Sequence, residues 1–166
     1  LIAKSQTDLL DDHINDSLSV VGYLSNNIID LGSGAGFPGI PIALTSKDKS
    51  VFLVESNNKK AAFLLHTVNA LGLSNTRVFG KKLEAINPRS FPTQTDIVVR
   101  AFGTVKKTLE ASKKILETPG AKLKIMTAGE GAVSELPPGY EVTNKQKLLT
   151  KPHYKERFLV TIEKAN

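Results

Sequence analysis

Apolar residues along this chain fall into two recurring patterns. Short runs bounded by turn residues read as buried strands: Ile28-Ile29, Val51 to Val54, Thr76 to Phe79, Ile97 to Val99 and Leu123 to Met126. Between them, apolar positions recur at three- and four-residue steps. Leu10, Ile14, Leu18, Val21 and Leu24 predict an amphipathic helix over residues 8–24, with Thr7 or Asp8 to cap it. His13, Asp16, Ser17 and Val20 share a second stripe facing away from that seam, and His13 and Asp16 read as a solvated surface pair. Ile40 to Thr45 begins a second helix. Ala61, Leu64, Leu65, Val68 and Leu71 predict a third over 58–71, stopped at Gly72. Lys81 to Ile86 reads as a short helix and Val105 to Leu116 as a longer one, while Tyr140 to Leu149 and Phe158 to Ile162 read as two closing strands. Strand and helix alternate and two strands finish the chain, so the fold class is α/β, a doubly wound, mostly parallel sheet of seven strands. At 166 residues this is expected to be a single domain, with a helical segment over 1–25 and a core over 26–166.

One polar stretch stands out: Asp30-Leu31-Gly32-Ser33-Gly34-Ala35-Gly36-Phe37-Pro38-Gly39-Ile40-Pro41. Four glycines between a strand and a helix permit a tight turn and leave no Cβ between backbone and ligand. Free N–H groups at the helix start can then face a polar ligand. Gly34 to Gly39 matches the dinucleotide pattern G-x-G-x-x-G, but Gly32-Ser33 separate it from the strand. Counted from the strand end, the loop is Asp-x-Gly-x-Gly-x-Gly. Glu55, at the tip of the second strand, is a candidate acceptor for ribose hydroxyls. Its separation from Gly34, 55 − 34 = 21 residues, is close to the roughly 20 of that arrangement. Glu55 also stands where it can cap the helix that begins near Asn57. Right-handed crossovers bring Asp30, Gly32, Gly34, Glu55, Glu84 and Arg100 to one sheet edge.

Charge and composition narrow the chemistry. The net charge of +6 favours an anionic partner. From Lys145 to Arg157 five basic residues face one acidic one, and Lys151, His153, Tyr154, Lys155 and Arg157 suit phosphate contact and base stacking as well as a solvated hairpin. With no cysteine and three histidines, a disulfide framework and a thiolate nucleophile are excluded and no metal site is expected. No apolar run is long enough to span a membrane and no signal-peptide pattern is present, so a cytoplasmic location is expected. After the fourth strand stands Arg100-Ala101-Phe102, without the Asn-Pro-Pro-Tyr or Asp-Pro-Pro-Tyr motif of exocyclic-amine methylation.

His-Ile-Asn-Asp-Ser (13–17), the glycine stretch with its Gly-Phe-Pro-Gly-Ile-Pro extension, Leu-Val-Glu-Ser (53–56) with Lys60 and Phe63-Leu64, and Arg100-Ala101-Phe102 stand in that order. Together they resemble the RsmG (glucose-inhibited division protein B) family, bacterial methyltransferases acting on guanine N7 of small-subunit (16S) ribosomal RNA. The resemblance runs the length of the chain. It implies a class I, Rossmann-like methyltransferase that binds S-adenosyl-L-methionine and meets 16S ribosomal RNA or the small ribosomal subunit. Carried over by position, the cofactor site comprises Gly32, Gly34, Phe37, Glu55, Leu83, Glu84 and Arg100; Glu55 stands where the family has aspartate. No catalytic residue is implied, since N7 has a lone pair and no proton to lose; Arg100 and His13 are candidates for positioning a base or a phosphate. Family members carry a further helical stretch before the segment like Leu1-Ile2-Ala3, so a truncated N-terminus is expected here. Two other readings stay open: an NAD-type oxidoreductase, on Gly34 to Gly39 and Glu55, and a non-catalytic basic RNA-binding module. Cofactor titration separates the first and methyl turnover the second.

Overall fold

The computed structural model describes residues 6–100, 102–129, 133, 135–149 and 156–165. Its strands are β1 (Asn27–Leu31), β2 (Ser50–Val54), β3 (Thr76–Phe79), β4 (Thr95–Arg100), β5 (Lys122–Ala128), β6 (Tyr140–Leu148) and β7 (Arg157–Lys164), and its α-helices are α1 (Gln6–Leu18), α2 (Gly39–Thr45), α3 (Asn58–Ala70) and α4 (Val105–Leu116). They form a seven-stranded sheet in the order β3-β2-β1-β4-β5-β7-β6. Strands β1 to β5 pair in parallel, whereas β7 runs antiparallel to both β5 and β6. The order reverses between β1 and β4, where ligands of such sheets lie beyond the strand ends.

The apolar runs are continuous because both faces of the parallel strands are covered. Successive side chains alternate between faces. Ile29, Leu31, Phe52, Val54, Ile97 and Val99 pack on one face with Leu109, Ile115 and Leu116 of α4. Ile28, Val51, Leu53 and Val98 pack on the other with Ile42 of α2 and Leu64 and Val68 of α3.

Three expectations need correction. The first helix stops at Leu18 instead of running to Leu24, and a 3-10 turn follows over Val21–Tyr23. The Ser19 hydroxyl bonds back to the Asp16 carbonyl at 2.7 Å, competing with helical continuation just before Gly22, a poor helix former. Over Lys81 to Ile86 only Leu83–Ala85 is helical, as a single 3-10 turn. The two stripes of residues 8–24 are also not divided as expected between core and solvent. Ser17 and Val20, from the polar stripe and its extension, are fully buried, whereas Leu10 is 48% exposed. Leu10, Ile14 and Leu18 line an open apolar groove of about 420 Å³ with Phe37, Leu44 and Phe63. Of the polar stripe, Asp16 turns toward Arg100 and Arg157 at the sheet edge, while His13 stays exposed.

Close approach of α2 to the sheet depends on Gly39. A Cβ there would stand 2.3 Å from Leu53 Cδ2 and 2.7 Å from Asp30 Oδ2. Gly39→Ala is therefore expected to destabilise the protein by about 1–3 kcal/mol, the range for overpacking a filled site. Denaturant unfolding measures it, and an unchanged midpoint would show that α2 can retreat from β2.

Candidate functional site

Strand β1 extends through Leu31, so Gly32 is the first residue beyond it. This places the register at Asp-x-Gly-x-Gly-x-Gly. The loop is sewn to β2 where Gly32 N and Ser33 N both donate to the Val54 carbonyl, at 2.8 and 3.2 Å. Gly32 has φ +75°, a left-handed conformation that favours glycine. A Cβ added there would lie 2.4 Å from Phe102 Cδ2, so the Phe102 ring itself fills the approach to Gly32.

Under the loop lies Asp30, 1% exposed. Its Oδ2 accepts the Gly39 N–H at 2.9 Å, and its Oδ1 has no partner among the described residues. Burial pushes the carboxyl up from its ordinary 3.8 to about 7, against the Gly39 N–H, the Ser33 hydroxyl and the Arg100 charge; the Glu55 charge pushes the same way as burial. Asp30 thus secures the start of α2. That start does not present the free N–H groups expected from the sequence. Gly39 N is taken by Asp30, Ile40 N by the Gly36 carbonyl at 2.8 Å, and Pro41 has none.

Glu55 follows β2 and is 8% exposed. Its Oε2 accepts the Gly34 N–H at 3.0 Å and its Oε1 the Asn57 N–H at 2.8 Å. One carboxylate therefore clasps the glycine loop and braces the entry to α3, whose cap is Asn57, accepting from Lys59 N and Lys60 N. Each carboxylate oxygen keeps a further lone pair. Glu55 faces a cleft of about 460 Å³ at the carboxyl ends of β1 and β2, walled by Gly32, Leu83, Glu84 and Phe102. Leu83 is 1% exposed and anchors its 3-10 turn in the core, while Lys114 Nζ donates to the Glu84 carbonyl at 2.8 Å. Lys60, Lys81, Lys82 and Lys107 rim this cleft. Phe102 and these lysines were not singled out from the sequence as site residues. An aromatic two residues past the fourth strand was the available signal for Phe102; the lysines become a group only when the turn and helices fold together.

Phe37 and Arg100 occupy a second corner, across the glycine loop. The Arg100 guanidinium carbon lies 5.5 Å from the Phe37 ring centre, and the His13 ring is 5.5 Å from the same ring. Arg100 Nη1 stands 3.2 Å from His13 Nδ1 and 3.7 Å from Asp16 Oδ2. Arg157 Nε donates to Asp16 Oδ1 at 3.0 Å. Asp16 is therefore not a solvated surface group, whereas His13 stays exposed beside Arg100. Asp16 holds two arginines, from the end of β4 and the start of β7. Of the basic hairpin, Lys151, His153, Tyr154 and Lys155 lie outside the described residues.

Such a sheet, with a glycine loop opening a cleft at its switch point, has the fold of class I methyltransferases. Magnesium protoporphyrin IX methyltransferase from Synechocystis PCC 6803, solved with bound SAM, superposes with a TM-score of 0.63 over 98% of this chain and 86% of that one, at 16% identity. A family model described as GidB, rRNA small subunit methyltransferase G, matches residues 1–159, and the chain belongs to that family. Ribosomal RNA small subunit methyltransferase G of Nitrosomonas europaea is 42% identical over 116 residues, 69% of this chain and 53% of that protein. Its counterpart in Stenotrophomonas maltophilia is 34% identical over 162 residues, 96% of this chain and 75% of that protein. The match to Nitrosomonas europaea thus spans about half of that relative's length.

The raised carboxyl of Asp30 sets a pH dependence. The folded protein holds a proton on Asp30 that the unfolded chain releases near pH 3.8, so this contribution to stability is fully present below that pH and is lost as pH rises through about 7. Asp30→Asn should flatten that part of the stability–pH curve. Chemical denaturation across pH 4 to 8 measures it; curves of equal slope for the two proteins would remove Asp30 as the source.

Proposed function

We propose that this chain binds S-adenosyl-L-methionine in the cleft beside the glycine loop and methylates N7 of a guanine in small-subunit (16S) ribosomal RNA. The observation that carries the cofactor reading is the convergence of Gly32, Glu55, Leu83 and Glu84 on one cleft at the sheet's switch point. Glu55 retains acceptor capacity for ribose hydroxyls beyond its two backbone bonds. The Leu83–Glu84 turn forms the wall where the adenine belongs, while Gly34, Phe37 and Arg100 do not line this cleft and stand at or across the glycine loop from it. Family membership supports the RNA substrate, together with the net charge of +6 and the lysines at the cleft rim.

The cofactor supplies an activated methyl group on a sulfonium. Guanine N7 has an in-plane lone pair and no proton to lose, so it would accept that methyl without a base. The protein's task is then alignment and exclusion of water, which contribute through geometry alone. Arg100 and His13 belong to this alignment, packed on Phe37 above the loop.

Two measurements test the proposal. Glu55→Gln should weaken S-adenosylmethionine binding by roughly 1–3 kcal/mol, the range for losing a charged acceptor. Calorimetry reads the affinity and thermal melting runs beside it, because Glu55 also clasps Gly34. A lower melting point with unchanged affinity would make Glu55 a brace only. The substrate is tested by methyl transfer from labelled cofactor to small ribosomal subunits, followed by strand scission specific to 7-methylguanine. Methylated RNA without that scission would exclude N7, and methylation of a small molecule in place of RNA would overturn the assignment.

A further inference from the structure

Asp16 presents a puzzle on a surface offered to an anionic strand. A carboxylate there repels phosphate, yet this one is only 15% exposed and sits between two guanidinium groups. Those groups come from separate strands. Arg100 ends β4, and Arg157 opens β7, paired with Ala128 at the end of β5. Because β7 runs antiparallel to β5, its first residue arrives at the same sheet edge as the ends of the parallel strands. Asp16 divides its oxygens between them, Oδ1 to Arg157 Nε and Oδ2 toward Arg100 Nη1. Unpaired, two such cations at one edge would repel and swing apart.

The contact to Arg157 is made at Nε, one of five N–H donors on a rigid planar fork. That contact restrains the guanidinium beside Asp16 through one donor of its fork. Among the groups of an RNA strand, a phosphate suits that fork best. The O6/N7 edge of guanine, the usual arginine target on a base, does not, since a donor on N7 would occupy the lone pair that must accept the methyl. The purine also gains positive charge as the methyl arrives, which disfavours a second cation on its edge.

We propose that Asp16 is a positioning residue for RNA: it holds Arg157 and Arg100 side by side at the mouth of the site, where Arg157 receives a backbone phosphate of the substrate strand. This rests on the reading of the chain as an RNA methyltransferase. It gives Asp16, which does not line the cleft, a role in substrate affinity.

The sign of one substitution separates positioning from bare charge. Asp16→Asn raises the net charge by one, so an unspecific electrostatic effect would tighten RNA binding. Positioning has the opposite result: affinity for small-subunit ribosomal RNA, read by filter binding, falls roughly tenfold, the scale of one charge-assisted hydrogen bond. The log–log salt slope also becomes shallower by about 0.7, one phosphate contact on a single strand. A merely structural role in docking α1 would lower the melting point and leave that slope unchanged. Asp16→Glu, which keeps the charge, should recover part of the affinity and slope, and it serves if the Asn variant folds poorly. Adding Arg157→Gln to Asp16→Asn should reduce affinity little further, since both remove the same contact. RNA bound by Asp16→Asn as tightly as by the unaltered protein, or more tightly, with an unchanged slope, overturns the proposal, as does an unaltered protein that binds no RNA. Binding and transfer are scored separately. An unaltered protein that binds RNA and never methylates it refutes the enzymatic reading, while the affinities and slopes still decide the role of Asp16.

Discussion

Two carboxylates hold the glycine loop from different sides, and the carboxyl edge of the sheet takes its shape from them. Asp30 grips the far end of the loop from below, through the Gly39 N–H. Glu55 grips its middle from the neighbouring strand, through the Gly34 N–H. Three left-handed glycines would otherwise leave a loop with many accessible conformations. Fixing two of its N–H groups selects one of them, and the cleft wall and the start of α2 follow. The burial of Asp30 makes this grip sensitive to proton concentration, because ionising an enclosed carboxyl with one unpartnered oxygen is unfavourable. The two negative charges also oppose one another, so the loop is held by a pair of groups that do not favour being charged together.

Much of this was legible in the residue pattern, and the reasons differ from element to element. The strands were readable because parallel strands covered on both faces leave uninterrupted apolar runs, as in Val51 to Val54. The helix α4 was readable because Leu109, Ile115 and Leu116 meet one flat sheet face. The position of Glu55 followed from a chain length, since a loop, a helix and a return strand take a nearly fixed number of residues. The orientation of α1 was not legible. Periodicity reports which residues are apolar, and Leu10, Ile14 and Leu18 are apolar; it does not report that two arginines far along the chain stand opposite Asp16. The use of the helix-start N–H groups was likewise hidden, since whether they face a ligand or Asp30 depends on how closely α2 sits, which Gly39 decides. The lysine rim was hidden for a similar reason: its members come from α3, the turn before Leu83 and α4, and no sequence window contains them together.

The two corners of the edge differ in kind. On the β2 side the cleft is walled by backbone and by residues rooted in the core, Leu83 among them. On the β4 side the contacts are between long, partly exposed side chains, Arg100 and Arg157, arranged around Asp16 and the Phe37 ring. Backbone and core walls define a shape that changes little, whereas guanidinium groups keep some freedom and can follow a flexible strand. The glycine loop is the partition between them, and its Phe37 belongs to the second corner while its Gly32 belongs to the first.

The bond between Asp16 and Arg157 joins positions 141 residues apart, the first helix to the last strand. A ribosome releasing this chain from its amino end makes β1 to β3 and the residues that wall the cleft before it makes β7. Until then α1 lacks Arg157, one of the two cations that its polar stripe faces. Arg157 is thus the last of the site's residues to be made, on a strand that lies between β5 and β6. Loss of that strand by early termination or proteolysis would deprive the amino-terminal helix of this anchor and take Leu159, Val160 and Ile162 out of the core on both faces of the sheet.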